Sequence, residues 1–338
     1  MTDMTNDFYS QKLDILWEPA GDGARVLRVY GEQPVLSLPE SIDGRPVTEI
    51  GPYCFSRSEP KLPETYFHHY IDSRSVEQLS SLSGNVLEMV RLPDTVTTLH
   101  NAAFYNCRSL HTLSVSTGIR SIGSDEFMNC TSLRRLVMRC TDTEAEGLPL
   151  LLERFADDLL VQFIPETHPA NDWEPQTVSA ALFFPEYYEW LDEISPAHIF
   201  SRSIHGEGFR MRKCFENGRI HYEKYDLCFE NARKVESDET LCRIAITRLR
   251  WPNGLKEDMR RQYETALTER LFTAVNLAVK SRDLELLLFL CSFFSAGDYT
   301  QAIASCVEAD WGEGSARLME EKHQSGSFAE KKFSFDDF

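Results

Sequence analysis

The chain of 338 residues has no long apolar run: its richest stretch, Leu286 to Phe294, is half of the roughly 18 residues that a membrane-spanning helix needs. No bilayer-spanning segment is therefore expected. Its first residues, Met1 to Tyr9, lack the cationic end and apolar core of a secretion signal, so a cytoplasmic location is the expectation. Cationic charge is scarce as well, with 35 Lys and Arg against 53 Asp and Glu and a net charge of −18. That balance argues against a dedicated nucleic-acid binder, whose affinity comes from cations that release counterions from phosphates. The nine cysteines are odd in number and contain no Cys-x-x-Cys pair, which leaves no disulfide framework or zinc knuckle to build.

Motifs for chemistry are missing too. No His-Glu-x-x-His spacing occurs, and Gly206-Glu207-Gly208 is too short for a phosphate loop and lacks the Lys-Ser/Thr that would follow one. Gly123-Ser124-Asp125 falls at a repeat turn, where a nucleophile elbow would need Gly-x-Ser-x-Gly between strand and helix. Asp157-Asp158 and Asp336-Asp337 are consecutive, whereas an acid and a base must converge across a cleft. His68 and His69 would point to opposite faces of a strand, with no metal-ligand spacing after them. The expectation is a protein that is not an enzyme and has no cofactor and no metal.

What is present is a unit written twice, Leu87 to Leu110 and Leu110 to Leu133. Leu87, Leu110 and Leu133 fall in register, as do Val90, Leu113 and Leu136, then Leu92, Val115 and Met138; Phe104/Phe127, Asn106/Asn129 and Cys107/Cys130 follow at the same step. Repetition at this period marks a stacked solenoid, in which each unit buries its apolar face only against its neighbours. The Leu-x-x-Leu-x-Leu pattern sets three short parallel strands, Leu87 to Leu92, Leu110 to Val115 and Leu133 to Met138, with the Phe and Cys plugging the opposite wall. A looser copy lies upstream, where Leu38 and Ile42 match Leu92 and Val96, and Ile50 and Phe55 match Leu99 and Phe104 after a five-residue insertion. Leu13 to Trp17 and Ala24 to Tyr30 read as a β-hairpin around Pro19 to Gly23 and would cap the open end. Residues 61–86 have no clear repeat register.

Ile42 to Gly51, Ala103 to Leu110 and Ile119 to Leu133 resemble the BspA-type bacterial leucine-rich repeats, over residues 10 to 140. The resemblance implies a β-rich solenoid used for protein interaction, some of whose secreted relatives are adhesins.

From Gly147 onward, helical spacing is expected to take over. Leu148 to Leu160 suggests a helix that closes the solenoid, and Ile164 to Pro175, rich in Pro and polar residues, a linker. Asp238 to Leu249 and Leu255 to Lys280 carry apolar residues at three and four spacing, separated by Trp251 to Gly254. Ala274 to Leu290 aligns with Ala302 to Leu318 as a weak second repeat, similar to the helix-turn-helix units of ankyrin-like arrays. The fold class that follows is α+β: a short right-handed leucine-rich repeat solenoid with a parallel β ladder and an N-terminal β-hairpin cap, then an all-α helical domain. The expected divisions are 1–146 for the repeat domain, 147–176 for the capping helix and linker, 177–323 for the helical domain and 324–338 for a flexible Phe-rich tail.

The function that follows is a cytoplasmic, non-enzymatic protein-protein interaction module or scaffold whose partner is a protein. Recognition is assigned to three outward pairs on the concave side of the ladder, Met89 and Arg91, Thr112 and Ser114, Arg135 and Val137, and to tail anchors Phe333, Phe335 and Phe338. Two alternatives stand beside it. One is an exported surface adhesin. The other is an enzyme or nucleotide-binding site around His198, His205, Arg210 and Arg212, inside the one net-cationic stretch: Arg202 to Arg261 holds 14 Lys and Arg against 10 Asp and Glu.

Overall fold

The structure is a computed structural model, and it describes residues 11–72, 79–165, 178–194 and 199–324. The chain divides after Ala232 into two compact units, 1–232 and 233–338. The first opens with the hairpin β1 (Leu13–Ala20) and β2 (Gly23–Gly31), then β3 (Val35–Ser37), β4 (Ser41–Ile42) and β5 (Arg45–Ile50). β6 (Phe67–Ile71) and β7 (Ser80–Ser81) precede the repeated strands β8 (Met89–Arg91), β9 (Thr98–Leu99), β10 (Thr112–Ser116), β11 (Ser121–Ile122) and β12 (Arg135–Arg139). These strands form the two walls of a solenoid. One wall runs β11-β9-β5-β2-β1-β6, and the other runs β14-β13-β12-β10-β8-β3, where β13 (Leu159–Phe163) and β14 (Ala180–Phe184) follow the short helix α1 (Leu148–Leu152).

The expected hairpin is the N-terminal cap. β1 pairs antiparallel with β2, and β2 pairs parallel with β5, so the hairpin continues one wall. Among its described residues the stretch 61–86 adds no parallel rung: β6 pairs antiparallel with β1, and β7 with β2.

The register of the second wall follows the leucine pattern. Leu36, Val90, Leu113, Leu136, Val161 and Leu182 lie side by side across six strands, and all are buried. Between the walls runs a stack of rings. Phe55 and Phe104 have centroids 4.9 Å apart, Phe104 and Phe127 5.4 Å, and Phe127 and Phe155 4.5 Å, with interplanar angles of 22°, 19° and 29°. Offset aromatic pairs of this kind add to the area they bury.

Thiols fill the space beside the rings and tie one unit to the next. Cys107 donates to the Phe55 carbonyl at 2.9 Å, and Cys130 donates to the Phe104 carbonyl at 3.0 Å. Burial pushes the Cys54 thiol well above its ordinary pKa, and the neighbouring Cys130 together with burial does the same for Cys107. These are inert packing groups, as expected for Cys107 and Cys130.

The turns between strands are ladders as well. Tyr53, Ala102 and Asp125, at equivalent repeat positions, have φ of 57°, 57° and 55°, and Asn106 and Asn129 have 61° and 62°. The left-handed conformation costs a residue such as Ala102 about 1–2 kcal/mol. It recurs because it aims each turn's amides at the next unit's carbonyls: Phe55 N–H donates to Ala103, Ala102 to Ser124, Phe104 to Glu126 and Asn106 to Met128. The Asn129 amide also donates to the Asn106 side-chain oxygen at 2.8 Å.

Beyond Cys140 the structure departs from expectation. The helix anticipated over Leu148 to Leu160 is only the short α1, and Leu159–Phe163 is a strand parallel to β12. The physical reason is the open edge of β12, whose carbonyls need donors: Leu160 N–H donates to Arg134 and Ile164 N–H to Met138. Satisfying that edge while burying Val161 and Phe163 outweighs the helical spacing of the leucines. β14 then pairs antiparallel with β13 and ends the wall. The first unit therefore runs past the expected boundaries at 146 and 176, through β15 (Tyr188–Ile194), β16 (Ile199–His205), α2 (Gly208–Met211), β17 (Phe215–Glu216), β18 (Arg219–Ile220) and α3 (Tyr222–Leu227). Residues 166–175 of the expected linker and the tail from 325 lie outside the described residues.

After α4 (Phe229–Val235), the second unit is helical, as expected: α5 (Asp238–Arg250), α6 (Glu257–Glu269), α7 (Leu271–Ser281), α8 (Leu284–Leu290), α9 (Ala296–Glu308) and α10 (Gly312–Gln324). Ser237 caps α5 by accepting from Thr240 N–H, and Ser295 with Asp298 forms a capping box on α9. The weak repeat is two helical hairpins, α7 with α8 and α9 with α10. Ala274 and Ala302, and Leu290 and Leu318, are buried at matching places. Arg282 and Asp310, 28 residues apart, turn both hairpins with φ of 52° and 50°. Val307 breaks the match, being 61% exposed where Val279 is buried.

Two predictions follow for stability. Phe155→Ala should cost about 3–5 kcal/mol in chemical denaturation, as Phe104→Ala should, because both empty the same stack; a cost under about 1 kcal/mol for Phe155→Ala would end the stack at Phe127. Glu126 is 1% exposed, with Oε2 accepting from Ala103 N–H at 3.3 Å and Oε1 without a partner. Burial raises its pKa to about 8. The folded state thus holds a proton that the unfolded chain releases near the ordinary carboxylate range, and stability should fall as pH rises from there to about 8. Glu126→Gln should flatten that decline in melting curves taken at pH 5 and pH 8; a decline of unchanged size would assign it to other groups.

Candidate functional site

Alternation along the second wall sets which side chains leave the core. The outer rows, in register, are Val35, Met89, Thr112, Arg135 and Leu160, then Ser37, Arg91, Ser114, Val137 and Gln162. All six ladder residues expected to face outward therefore share one face. They are not equally accessible. Met89, Arg91 and Arg135 are half-buried, whereas Thr112, Ser114 and Val137 are 2%, 0% and 0% exposed. The expectation of three presented pairs is corrected to one presented pair and Arg135.

The reason is side-chain length. Strands in a ladder lie about 4.8 Å apart, so a short side chain sits in the shadow of long ones in the same row. Thr112 lies between Met89 and Arg135, and Ser114 between Arg91 and Val137. Arg139, one position further along β12, reaches back across the face: its guanidinium donates to Ser114 Oγ at 2.8 Å, to the Leu92 carbonyl and to the Asp94 carboxylate. Arg139 is 4% exposed and was not singled out in the sequence; its only signal is its place two residues after Val137 on the alternating strand. Arg135 donates through Nε to Gln162 Oε1, and burial lowers its pKa. Arg91 faces Glu40 at 3.8 Å. The face thus carries three arginines, with Glu40 and Asp94 half-exposed beside them.

The residues of the alternative site are dispersed. His205 is exposed and stacks on Tyr188 with centroids 4.9 Å apart, Arg210 is exposed and 3.5 Å from the Glu207 carboxylate, and Arg212 is buried. His198 lies outside the described residues, as do Phe333, Phe335 and Phe338. His68 and His69 face different acids, Asp14 at 3.0 Å and Asp43 at 2.8 Å. Among the described residues no group of His, Cys, Asp or Glu is arranged to hold a metal, and no helix is long and apolar enough to cross a membrane.

Residues 37–145 match, in six copies, the family described as BspA type leucine rich repeat region, and that segment is such a region. Among solved structures, the leucine-rich repeat protein TpLRR of T. pallidum is similar, with 17% identity over 36% of this chain and 67% of that one and a TM-score of 0.19. No curated protein matches.

Arg139 holds three rungs through groups that have little access to water, so its removal should be costly. Arg139→Met should destabilise by about 2–4 kcal/mol, because the buried Ser114 hydroxyl and Leu92 carbonyl lose a donor. Asp94→Asn, at an exposed carboxylate, should cost under about 1 kcal/mol. Equal costs in urea unfolding would remove Arg139 from this role.

Proposed function

We propose that the chain, whose residues 37–145 are a BspA-type leucine-rich repeat region, is a non-enzymatic interaction module that binds a protein partner through the outer face of the ladder. The observation that carries the reading is the face itself. Its side chains are spaced by the ladder, and Arg135 is tied to Gln162 and Ser114 to Arg139 by side-chain hydrogen bonds, so part of the face is ordered before binding. Arg91, Arg135 and Met89 stand where a partner can reach them, flanked by Val35 and Leu160. Arginine and methionine are enriched in protein interfaces, and half-exposed arginines with apolar neighbours suit an acidic, partly apolar partner surface. The tail phenylalanines Phe333, Phe335 and Phe338 are proposed as a second, independent anchor. The thiol hydrogen bonds of Cys107 and Cys130 require reduced sulfur, which supports a cytoplasmic location over surface adhesion.

A photo-crosslinking residue at Met89, with one at exposed Glu144 as control, tests the reading in native cytosol. A defined adduct should form from position 89 only and should fall at least about tenfold when Arg91→Glu is added. Adducts of the same pattern from both positions, or a yield from position 89 that Arg91→Glu leaves unchanged, would refute the face as the binding surface.

A further inference from the structure

A cleft of about 360 Å³ opens in the first unit, lined by none of the outer-row residues of the ladder, and three of its lining residues are cationic: Arg154, Arg212 and Lys213. Glu153 is the one acid on its lining, so the cleft carries a local excess of two positive charges in a chain of net charge −18. None of the three cations has a carboxylate within ion-pair distance among the described residues. Arg154 donates to the Ile122 carbonyl at 3.3 Å, and Lys213 sits over the Phe209 ring at 5.3 Å. A cleft of this volume suits a small ligand.

Arg212 is the unusual member. It is 7% exposed, and its partners are neutral: Nη1 donates to the Pro185 and Gly208 carbonyls at 2.6 and 3.0 Å, and Nη2 to the Asp157 carbonyl at 2.7 Å. Its Nε–H is buried and has no acceptor. A guanidinium has five donors and favours a bidentate anion on one edge. Here three donors hold main-chain carbonyls, and no carboxylate lies within ion-pair distance of the charge they carry among the described residues. Asp157 and Asp158 attract it from further away, and the Tyr187 ring lies 5.1 Å from it. Burial lowers its pKa to about 10, which still leaves it protonated at neutral pH.

The chain goes to some length to place this group. A side chain at Gly208 would put Cβ 1.9 Å from the Pro185 carbonyl oxygen, so only glycine lets α2 start against the Pro185 to Tyr187 segment. Gly206, with φ of 90°, makes the bend just before it. The Gly206-Glu207-Gly208 motif that is too short for a phosphate loop thus serves to carry Arg212 beneath the cleft. Tyr187 and Phe209, packed edge-on with centroids 5.4 Å apart, give the same cleft an aromatic side.

We propose that this cleft is a binding site for a small organic anion, in which a carboxylate or phosphate lies among Arg154, Arg212 and Lys213 and a planar group rests against Tyr187 and Phe209. The site is independent of the ladder face. The anion would supply a close counterion to Arg212, and the rings would select against purely inorganic ions.

Calorimetric titration of the full chain with phenyl phosphate, benzoate, inorganic phosphate and phenol at low salt tests the proposal. Phenyl phosphate or benzoate should bind saturably, with the tighter of the two naming the head group, inorganic phosphate at least about tenfold more weakly and phenol without measurable heat. The double variant Arg154→Glu/Lys213→Glu changes two exposed side chains and should weaken that binding at least about tenfold while the circular dichroism stays unchanged. Arg212→Gln should abolish it; if that variant fails to fold, the double variant decides alone. Absence of saturable binding by both aromatic anions up to about 10 mM, or equal affinity in the wild type and the double variant, would overturn the proposal.

Discussion

Every rung of this molecule depends on its neighbours for both of its needs, a cover for its apolar face and partners for its backbone. The stack of Phe55, Phe104, Phe127 and Phe155 meets the first, and the strand and turn ladders meet the second. A single unit, covered on neither side, has too little core to fold alone. The consequence is that the two ends must be closed, and they are closed differently. At one end the hairpin β1–β2 joins the first wall through β5; at the other, β13 continues the second wall in parallel and β14 turns it antiparallel.

The same dependence shapes the outer face. Because adjacent strands stand in register, the side chain of one rung sets the exposure of the next. Arg139 on β12 reaches Ser114 on β10 and the Leu92 carbonyl after β8, so its anchor spans three rungs. The half-buried arginines of the same face have other partners, Glu40 for Arg91 and Gln162 for Arg135. A buried arginine serves a different purpose in the second unit, where Arg248 donates to the carbonyls of Trp251 and Asn253 and fixes the turn between α5 and α6.

Much of this was legible in the residues. The leucine register, the Phe and Cys positions, the capping hairpin and the helices from Asp238 onward follow from periodicity and turn chemistry, since local and global preferences agree there. The fourth ring was not legible, because Phe155 lies 28 residues after Phe127 where the earlier step is 23. β13 was hidden for a related reason: Leu159 and Leu160 continue the helical spacing of the leucines before them, and only the open edge of β12 makes them a strand. The face was read in the right register but with the wrong exposure. Alternation tells which side a residue takes, while the length of its neighbours, as for Ser114 beside Arg91 and under Arg139, decides whether water reaches it. Glu126 gave no sequence signal, and Arg212, singled out only as part of a cationic cluster, gave none of its burial, because each is a charged residue buried by segments distant in the chain.

The central claim is that the solenoid is one continuous, closed stack running from the hairpin through β14. Native-state hydrogen exchange tests it most directly, residue by residue. The amides of Leu113, Leu136, Val161 and Leu182 should exchange only through global unfolding, with a common opening free energy and a common response to denaturant. Exchange of Val161 and Leu182 through a separate opening of lower free energy, while Leu113 and Leu136 stay protected, would contradict it and return β13 and β14 to a separate appendage.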